Sequence, residues 1–143
     1  MFDELLKYKH TDHFFFKPSD NLNQVCNAPT DKSGVYLVYA LKRGRIELVD
    51  IGSAGDPLPD LTLLNPSEGI YGMKDILVNG TQFGEPRRSS WKTKMILENI
   101  EALDIYWYVT HDEQYKDSPV VIKNVLQLKF LEIYEKLPEW FED

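Results

Sequence analysis

The chain has 143 residues, of which 43% are hydrophobic and 27% are charged, and its formal net charge at pH 7 is −7. These values exclude a disordered tail, because a chain of this length and composition buries about two-thirds of its unfolded surface. Its apolar runs are far shorter than the roughly 20 residues that a membrane-spanning helix needs. The acidic balance opposes sequence-independent binding to nucleic acid, although it leaves room for a local basic patch.

The cysteine content and the N-terminal residues favour a reducing compartment. The single cysteine, Cys26, cannot form an internal disulfide. Residues 1–4 are largely acidic and lack the basic and then apolar order of a secretory signal. We therefore expect a cytoplasmic location and no contact with a membrane.

The first third of the chain predicts a β-hairpin that follows an irregular extension. Residues 1–10 suit a short helix, residues 14–18 an extended segment that ends at a proline, and residues 18–33 a polar loop. Residues 34–41 are rich in β-branched and aromatic side chains, which is typical of a strand. After a short turn, residues 46–51 are predicted to form the return strand.

The rest of the chain predicts helices around a third strand. Residues 56–68 read as a loop, residues 69–78 as a helix, and a second helix begins at Ser89 or Ser90 and ends near Ile100. Residues 103–110 alternate like a strand, and the Ser118–Pro119 pair begins a helix that runs to about Lys136. The side chains predicted to face the core are Trp91, Met95, Ile96 and Ile100 in the second helix, Leu103, Ile105, Trp107 and Val109 in the strand, and Val121, Val125, Leu128 and Leu131 in the last helix. This order favours an α+β fold with a small, mostly antiparallel three-stranded sheet flanked by helices.

Two short motifs stand on the two strands of the hairpin. Gly34-Val35-Tyr36 lies on the first strand and Asp50-Ile51-Gly52 on the second, with 13 residues between them. Helices, a third strand and a helix begun by proline follow, and the chain then reaches Leu137-Pro138-Glu139-Trp140. This arrangement resembles the GIY-YIG nuclease superfamily, in particular its restriction-endonuclease-like branch. The resemblance covers about residues 33–141, so we expect one domain over residues 1–143 with an N-terminal extension at 1–32.

The resemblance implies a metal-dependent endonuclease that acts on DNA phosphodiesters. In that family two tyrosines on neighbouring strands orient the attacking water, an arginine neutralises phosphate charge, and a glutamate binds Mg²⁺ or Mn²⁺. Tyr36 matches the first tyrosine, whereas Asp50 stands at the second. Counting seven residues back from Tyr134 places Gln127 at the glutamate, and a neutral amide is a poor ligand for Mg²⁺. Phe141 stands where an asparagine usually follows the Pro-Glu-Trp motif.

These substitutions suggest a degenerate nuclease whose catalysis is weak or lost. The helix that should carry the arginine has only Lys74, and Arg87 and Arg88 come later than the pattern expects. We assign phosphate contact to these three cations. Asp50 is the candidate substitute for the missing metal ligand. The alternative without a functional role is that it simply faces solvent. Tyr36 is equally compatible with a plain, partly buried strand tyrosine.

The concentrated basic run of the chain covers residues 87–94 and contains Trp91. It predicts either contact with a phosphate backbone, with Trp91 stacked on a base, or a solvated helix start whose tryptophan fills the core; the core role is favoured for Trp91. The rival to a DNA-binding enzyme is a non-catalytic module on the same fold that binds a protein partner. Salt-dependent DNA binding separates the two.

Overall fold

The computed structural model describes residues 1–55 and 72–142, and these residues confirm the α+β class. The elements in chain order are a 3₁₀ turn at Asp3–Leu5, β1 (Thr11–Phe16), α1 (Leu22–Val25), β2 (Ser33–Lys42), β3 (Arg45–Ala54), α2 (Met73–Asn79), β4 (Thr81–Gln82), β5 (Glu85–Pro86), α3 (Arg87–Leu97), β6 (Ala102–His111) and α4 (Pro119–Tyr134). The predicted loop at 56–68 and the first residues of the helix predicted at 69–78 lie outside the described part. None of the described helices is long and apolar enough to cross a membrane.

The main sheet has four antiparallel strands in the order β1-β6-β2-β3, one strand more than the sequence predicts. The added strand is β1, which pairs along its length with β6 and places Phe14 opposite Ile105. Phe14 and Phe16 are buried while Phe15 between them is exposed. That alternation fits a strand with one face on the core, so the extended segment joins the sheet instead of docking on it.

The N-terminal extension contains less helix near residue 1 and more helix near residue 22 than predicted. The helix expected over residues 1–10 is a single 3₁₀ turn. The polar loop at 18–33 includes the short helix α1, which begins because the side chain of Asn21 accepts a hydrogen bond from the backbone N–H of Gln24.

Both faces of the sheet are covered by apolar side chains. One face packs against α1, α2 and α3, and its core includes Tyr36, Val38 and Trp107. The other face meets α4 and the N-terminal turn, with Leu126 and Phe130 of the helix buried against it. The part of the hairpin β2–β3 away from its turn is therefore packed between two layers, which fixes the orientation of its buried side chains.

Helix α4 begins as predicted but buries a different side. Ser118 accepts a hydrogen bond from the N–H of Val121, and Pro119 is the first helical residue. The predicted core stripe is nevertheless exposed, and the side chains that are buried are Pro119, Leu126 and Phe130. The stripe now on the surface is Val121, Val125, Leu128 and Leu131. Apolar residues occur all around this helix, so their spacing does not select one face, and the large ring of Phe130 decides the contact.

Helix α3 begins at Arg87, before the serines predicted to cap it. The β4–β5 hairpin ends at Pro86, and the backbone N–H of Arg87 donates to Gly80 O at 2.9 Å, which brings the chain into the helix two or three residues early. Trp91 and Met95 are fully buried as predicted, whereas Ile96 is 66% exposed. Adjacent helical residues point about 100° apart, so Met95 and Ile96 cannot both face the same core.

Candidate functional site

Four of the predicted site residues line one cavity. Its volume is about 280 Å³, and Tyr36 of β2, Asp50 of β3, Arg87 of α3 and Gln127 of α4 all contribute to its wall. The other lining residues are Ile51, Gly52, Ser53, Gln82, Lys123, Phe141 and Glu142. We call this cavity the central cleft. Their convergence follows from the antiparallel hairpin, which brings β2 and β3 together, and from α3 and α4 packing around its end.

The phenol of Tyr36 lies against the backbone of the neighbouring strand. Tyr36 pairs with Gly52 and Val38 pairs with Asp50, so Tyr36 and Asp50 share one face of the sheet. A Cβ atom on Gly52 would stand 2.2 Å from Cζ of Tyr36. Only glycine therefore allows this ring to lie where it does. Burial raises the pKa of Tyr36 above its ordinary value, although the nearby Arg87 opposes that rise.

Gln82 connects the cleft to the core. Its Nε2 donates to Asp50 Oδ2 at 3.0 Å and to Trp140 O at 3.1 Å. Its Oε1 accepts from Arg87 Nε at 3.1 Å and from Trp91 Nε1 at 2.9 Å. The side chain is only 4% exposed, so all of its hydrogen-bonding capacity is spent inside the protein.

Asp50 is a buried carboxylate with both oxygens engaged. Its side chain is 6% exposed, its Oδ1 accepts from the backbone N–H of Ile51 at 3.0 Å, and its Oδ2 accepts from Gln82. Burial raises the pKa of Asp50 to about 6, against the lowering effects of Gln82, Arg87 and Ile51. The alternative in which Asp50 faces solvent is therefore wrong. With a pKa of about 6, its carboxylate gains a proton slightly below neutral pH.

Arg87 is held in place while part of its guanidinium faces the cleft. Besides the bond to Gln82, its Nη1 donates to Ile76 O at 2.8 Å, and its Cζ lies 5.6 Å from the centre of the Tyr36 ring. These bonds use two of the five N–H groups that an arginine carries. An arginine so oriented can offer further N–H groups to an anion in the cleft.

Helix α4 contributes an amide and a cation to the other wall. Gln127 Nε2 donates to Ile51 O at 3.1 Å, which ties the helix to β3. Lys123 lies one helical turn earlier and lines the same cavity. Gln127 thus lines the cleft, with its amide nitrogen bonded to the strand.

Three residues of the predicted phosphate site and basic run lie away from the cleft. Arg88 is exposed and donates a hydrogen bond to Asn79 Oδ1. Lys74 lies on α2, where its charge acts on the buried Cys26. Trp91 is fully buried and bonded to Gln82, so it fills the core and does not present a face to a base. Of the three predicted phosphate-binding cations, the structure places only Arg87 in the cleft.

The donors of the central cleft do not fit the Mg²⁺ or Mn²⁺ ion that the resemblance implies. Within residues 1–55 and 72–142, no three His, Cys, Asp or Glu side chains stand close enough to hold a metal. Asp50 is bonded through both oxygens, Arg87 is close to it, and Gln127 brings a neutral amide where a carboxylate is expected. Divalent hard cations favour carboxylate oxygens. We therefore derive no step through a metal and do not assign Asp50 as its ligand.

Three of the residues that line the cleft were not predicted from the sequence patterns. Gln82, Lys123 and Glu142 come from the β4–β5 hairpin, from α4 and from the C-terminal segment. Near Gln82 the sequence contains Asn79-Gly80 and Phe83-Gly84. These pairs predict turns but do not indicate that the side chain of Gln82 is buried.

Comparisons of the chain with protein families, with curated proteins and with solved structures find no match.

Proposed function

We propose that the central cleft binds a nucleic acid phosphodiester, and that the protein is a GIY-YIG-like domain whose hydrolytic activity is weak or lost. The observation that carries the proposal is the convergence of Tyr36, Asp50, Arg87 and Gln127 in one cavity from four separate elements. Tyr36, Asp50 and Gln127 stand where the resemblance expects water-orienting and metal-binding groups, and Arg87, which comes later in the chain than the pattern expects, brings the phosphate-binding cation to the same cavity. Their meeting supports descent from such a site.

Two cations in the wall of the cleft can contact an anion. Arg87 and Lys123 bring two positive charges to its wall, and Asp50 and Glu142 bring two carboxylates. The raised pKa of Asp50 means that this carboxylate is neutralised more readily than an ordinary aspartate. A phosphate oxygen can accept N–H groups that Arg87 does not use for Gln82 and Ile76.

The same geometry opposes efficient hydrolysis. A general base needs a pKa near the working pH, and burial moves the pKa of the Tyr36 phenol further above its ordinary value. Asp50 already accepts hydrogen bonds through both oxygens, so it is poorly placed to take a proton from water. The cleft therefore retains groups that hold a phosphodiester but lacks an evident group that activates the nucleophile.

Arg87→Gln is the direct test of the proposal. We expect binding of a short fluorescent DNA duplex, followed by anisotropy, to weaken with rising salt, and the slope of log K against log[salt] to fall by about 1 in the variant because one phosphate contact is lost. Chelation of divalent cations should leave the binding unchanged, because the donors do not fit a metal. Arg45→Gln, an exposed arginine at the start of β3, is the matched control and should keep the original slope.

Two results would contradict this proposal in different ways. Absence of salt-dependent DNA binding would favour the protein-binding module. Mn²⁺-dependent nicking of a plasmid that disappears in Tyr36→Phe would show an active nuclease instead of a binding remnant.

Asp50 predicts a pH dependence of the same binding. Because its pKa is about 6, Asp50 gains a proton as the pH falls through 6 and the cleft loses one negative charge. We expect DNA affinity to rise about fivefold between pH 7.5 and pH 5, in line with the removal of one nearby like charge. The charged and titratable groups around this carboxyl are Tyr36, Arg87, Lys123 and Glu142.

The matched variant for the pH experiment is Asp50→Asn, in which the extra affinity should be present at pH 7.5 and should change little at lower pH. The difference between the two profiles isolates the effect of Asp50 from that of the rest of the chain. Identical profiles in the two proteins would contradict the assignment.

One observation favours the alternative of a protein-binding module. The stripe Val121, Val125, Leu128 and Leu131 on α4 is 38 to 59% exposed, and it points away from the sheet. Contiguous apolar surface of this kind is common at protein interfaces. The DNA-binding result decides between the two functions, since only the proposal for the central cleft requires it.

A further inference from the structure

A second concave surface lies on the face of the sheet that packs against α4, which is the face opposite the one that carries Tyr36 and Asp50. It is a groove of about 270 Å³ whose wall includes Phe15, Tyr39, Asp104, Tyr106, Tyr108 and Ile46. We call it the aromatic groove. Its residues come from all four strands of the main sheet and share none with the central cleft.

Strand register places a carboxylate among the rings of this groove. Asp104 on β6 stands directly opposite Phe15 of β1 on one side and Tyr39 of β2 on the other. Tyr106 follows two residues along β6 and so projects from the same face. The rings of Tyr39 and Tyr106 lie 5.6 Å apart at 79° to one another, which makes a corner rather than a flat platform.

The carboxylate in the corner is held in position. Asp104 Oδ1 lies 2.7 Å from His13 Nδ1, and the ring of His13 stacks on Tyr106 with centroids 4.6 Å apart and planes 9° from parallel. These contacts fix the acid and one wall of the corner before any ligand arrives. A preordered site loses less entropy on binding than a flexible one.

The rings of the groove are neutral at physiological pH. Burial raises the pKa of Tyr39, Tyr106 and Tyr108, and in Tyr106 the charge of Asp104 adds to the rise. Neutral phenol rings present the negative face of their quadrupole, which attracts a cation. Among the described residues that line the groove there is no lysine or arginine, and the basic side chain that contacts Asp104 is His13, which meets Oδ1 and leaves Oδ2 without that partner.

We propose that the aromatic groove binds the alkylammonium end of a lysine, in its methylated form, carried by a partner polypeptide. A corner of rings with a carboxylate beside it matches the two demands of such a group, an apolar contact for the methyl groups and a negative potential for the charge. Phe15 and Ile46 at the rim are 57% and 74% exposed, and they offer apolar surface to the residues that flank the lysine. The net charge of −7 also favours a basic partner.

The test uses one short peptide in three versions, titrated against the whole protein and followed by NMR chemical shifts. The central residue is trimethyllysine, lysine, or an isostere in which an uncharged tert-butyl group replaces the trimethylammonium. We expect the trimethyllysine peptide to bind about tenfold more tightly than the uncharged isostere, because only the charged peptide gains from Asp104 and the ring faces. The unmodified lysine should fall between them, since its ammonium holds water more strongly.

Variants locate the binding. Asp104→Asn should remove most of the preference for the charged peptide, and Tyr106→Leu should weaken binding about tenfold while Tyr106→Phe retains it. Asp12→Asn, an exposed aspartate on β1 whose side chain does not line the groove, is the control for the loss of one charge. Circular dichroism confirms that each variant is folded.

Three outcomes would overturn the proposal: equal or tighter binding of the uncharged peptide, an Asp104→Asn variant with undiminished preference for charge, or displacement of the peptide by a nucleoside that binds more tightly. The last result would assign the groove to base stacking. None of these outcomes bears on DNA binding in the central cleft, because the two surfaces share no residue.

Discussion

Replacing Gln82 by alanine is expected to lower the free energy of unfolding by about 4 kcal/mol, because several buried groups lose their partners at once. The indole N–H of Trp91, fully buried, would have no acceptor, and the carboxylate of Asp50 would lose a donor. Arg87 would also lose the bond that fixes its Nε. Urea denaturation followed by tryptophan fluorescence measures the change.

The matched control for this substitution is Gln114→Ala. Gln114 is exposed, and its side chain makes one long contact of 3.5 Å with the Tyr115 hydroxyl. Its removal should change stability by less than about 0.5 kcal/mol. If the two glutamine variants are equally stable, Gln82 is not the connecting residue that its four hydrogen bonds indicate.

The same network links stability to the charge of Asp50. The hydrogen bond from Gln82 lowers the pKa of that carboxyl, against the larger effect of burial. In a folded Gln82→Ala protein the pKa of Asp50 should therefore lie above 6, and the pH profile of DNA binding should move upward with it. If the substitution leaves the pH profile of DNA binding unchanged, Gln82 stabilises the fold without affecting the charge of Asp50 in the cleft.

Gly52→Ala is expected to destabilise the protein by about 3 kcal/mol through crowding alone. The new Cβ would stand 2.2 Å from Cζ and 2.4 Å from the hydroxyl of Tyr36, a ring that is 2% exposed and has little room to move. Gly52 is not among the glycines with positive φ, so its backbone suits alanine and the collision is the whole cost. Thermal unfolding at neutral pH provides the measurement.

Gly44→Ala is the complementary control. Gly44 has φ of +76°, and no atom lies within 4 Å of the place that a Cβ would take, so alanine there is strained by backbone conformation and by nothing else. We expect a loss of about 1 kcal/mol. A Gly52→Ala variant no less stable than Gly44→Ala would show that the Tyr36 ring is not held against β3.

A double-mutant cycle separates the ring from the backbone. Tyr36→Leu removes the atoms that Gly52→Ala would strike, so the double variant should be less destabilised than the sum of the two single changes. Strict additivity would mean that the two residues do not touch. The same cycle, repeated for DNA affinity, tests whether the position of the phenol matters to the cleft.

The sequence by itself determined the β2–β3 hairpin with its two motifs, the strand β6 and the start of α4. Alternation along residues 103–110 predicted which side chains of β6 are buried, and Ser118 with Pro119 predicted where α4 begins. The hairpin placed Tyr36 and Asp50 on neighbouring strands, and the structure puts them on one face. These features depend on short stretches of chain, in which propensity, capping and period-2 spacing act directly.

Only the tertiary structure decided which surfaces meet. The apolar residues around α4 allowed several faces to pack, and the contact of Leu126 and Phe130 with the sheet selected one that the spacing of Val121 and Leu128 does not indicate. Gln82 became the centre of a buried network because the β4–β5 hairpin folds over β3, 32 residues away from Asp50 in sequence. Packing and hydrogen bonds between distant segments depend on the whole chain closing around one core, and no local pattern encodes which partner a side chain will find.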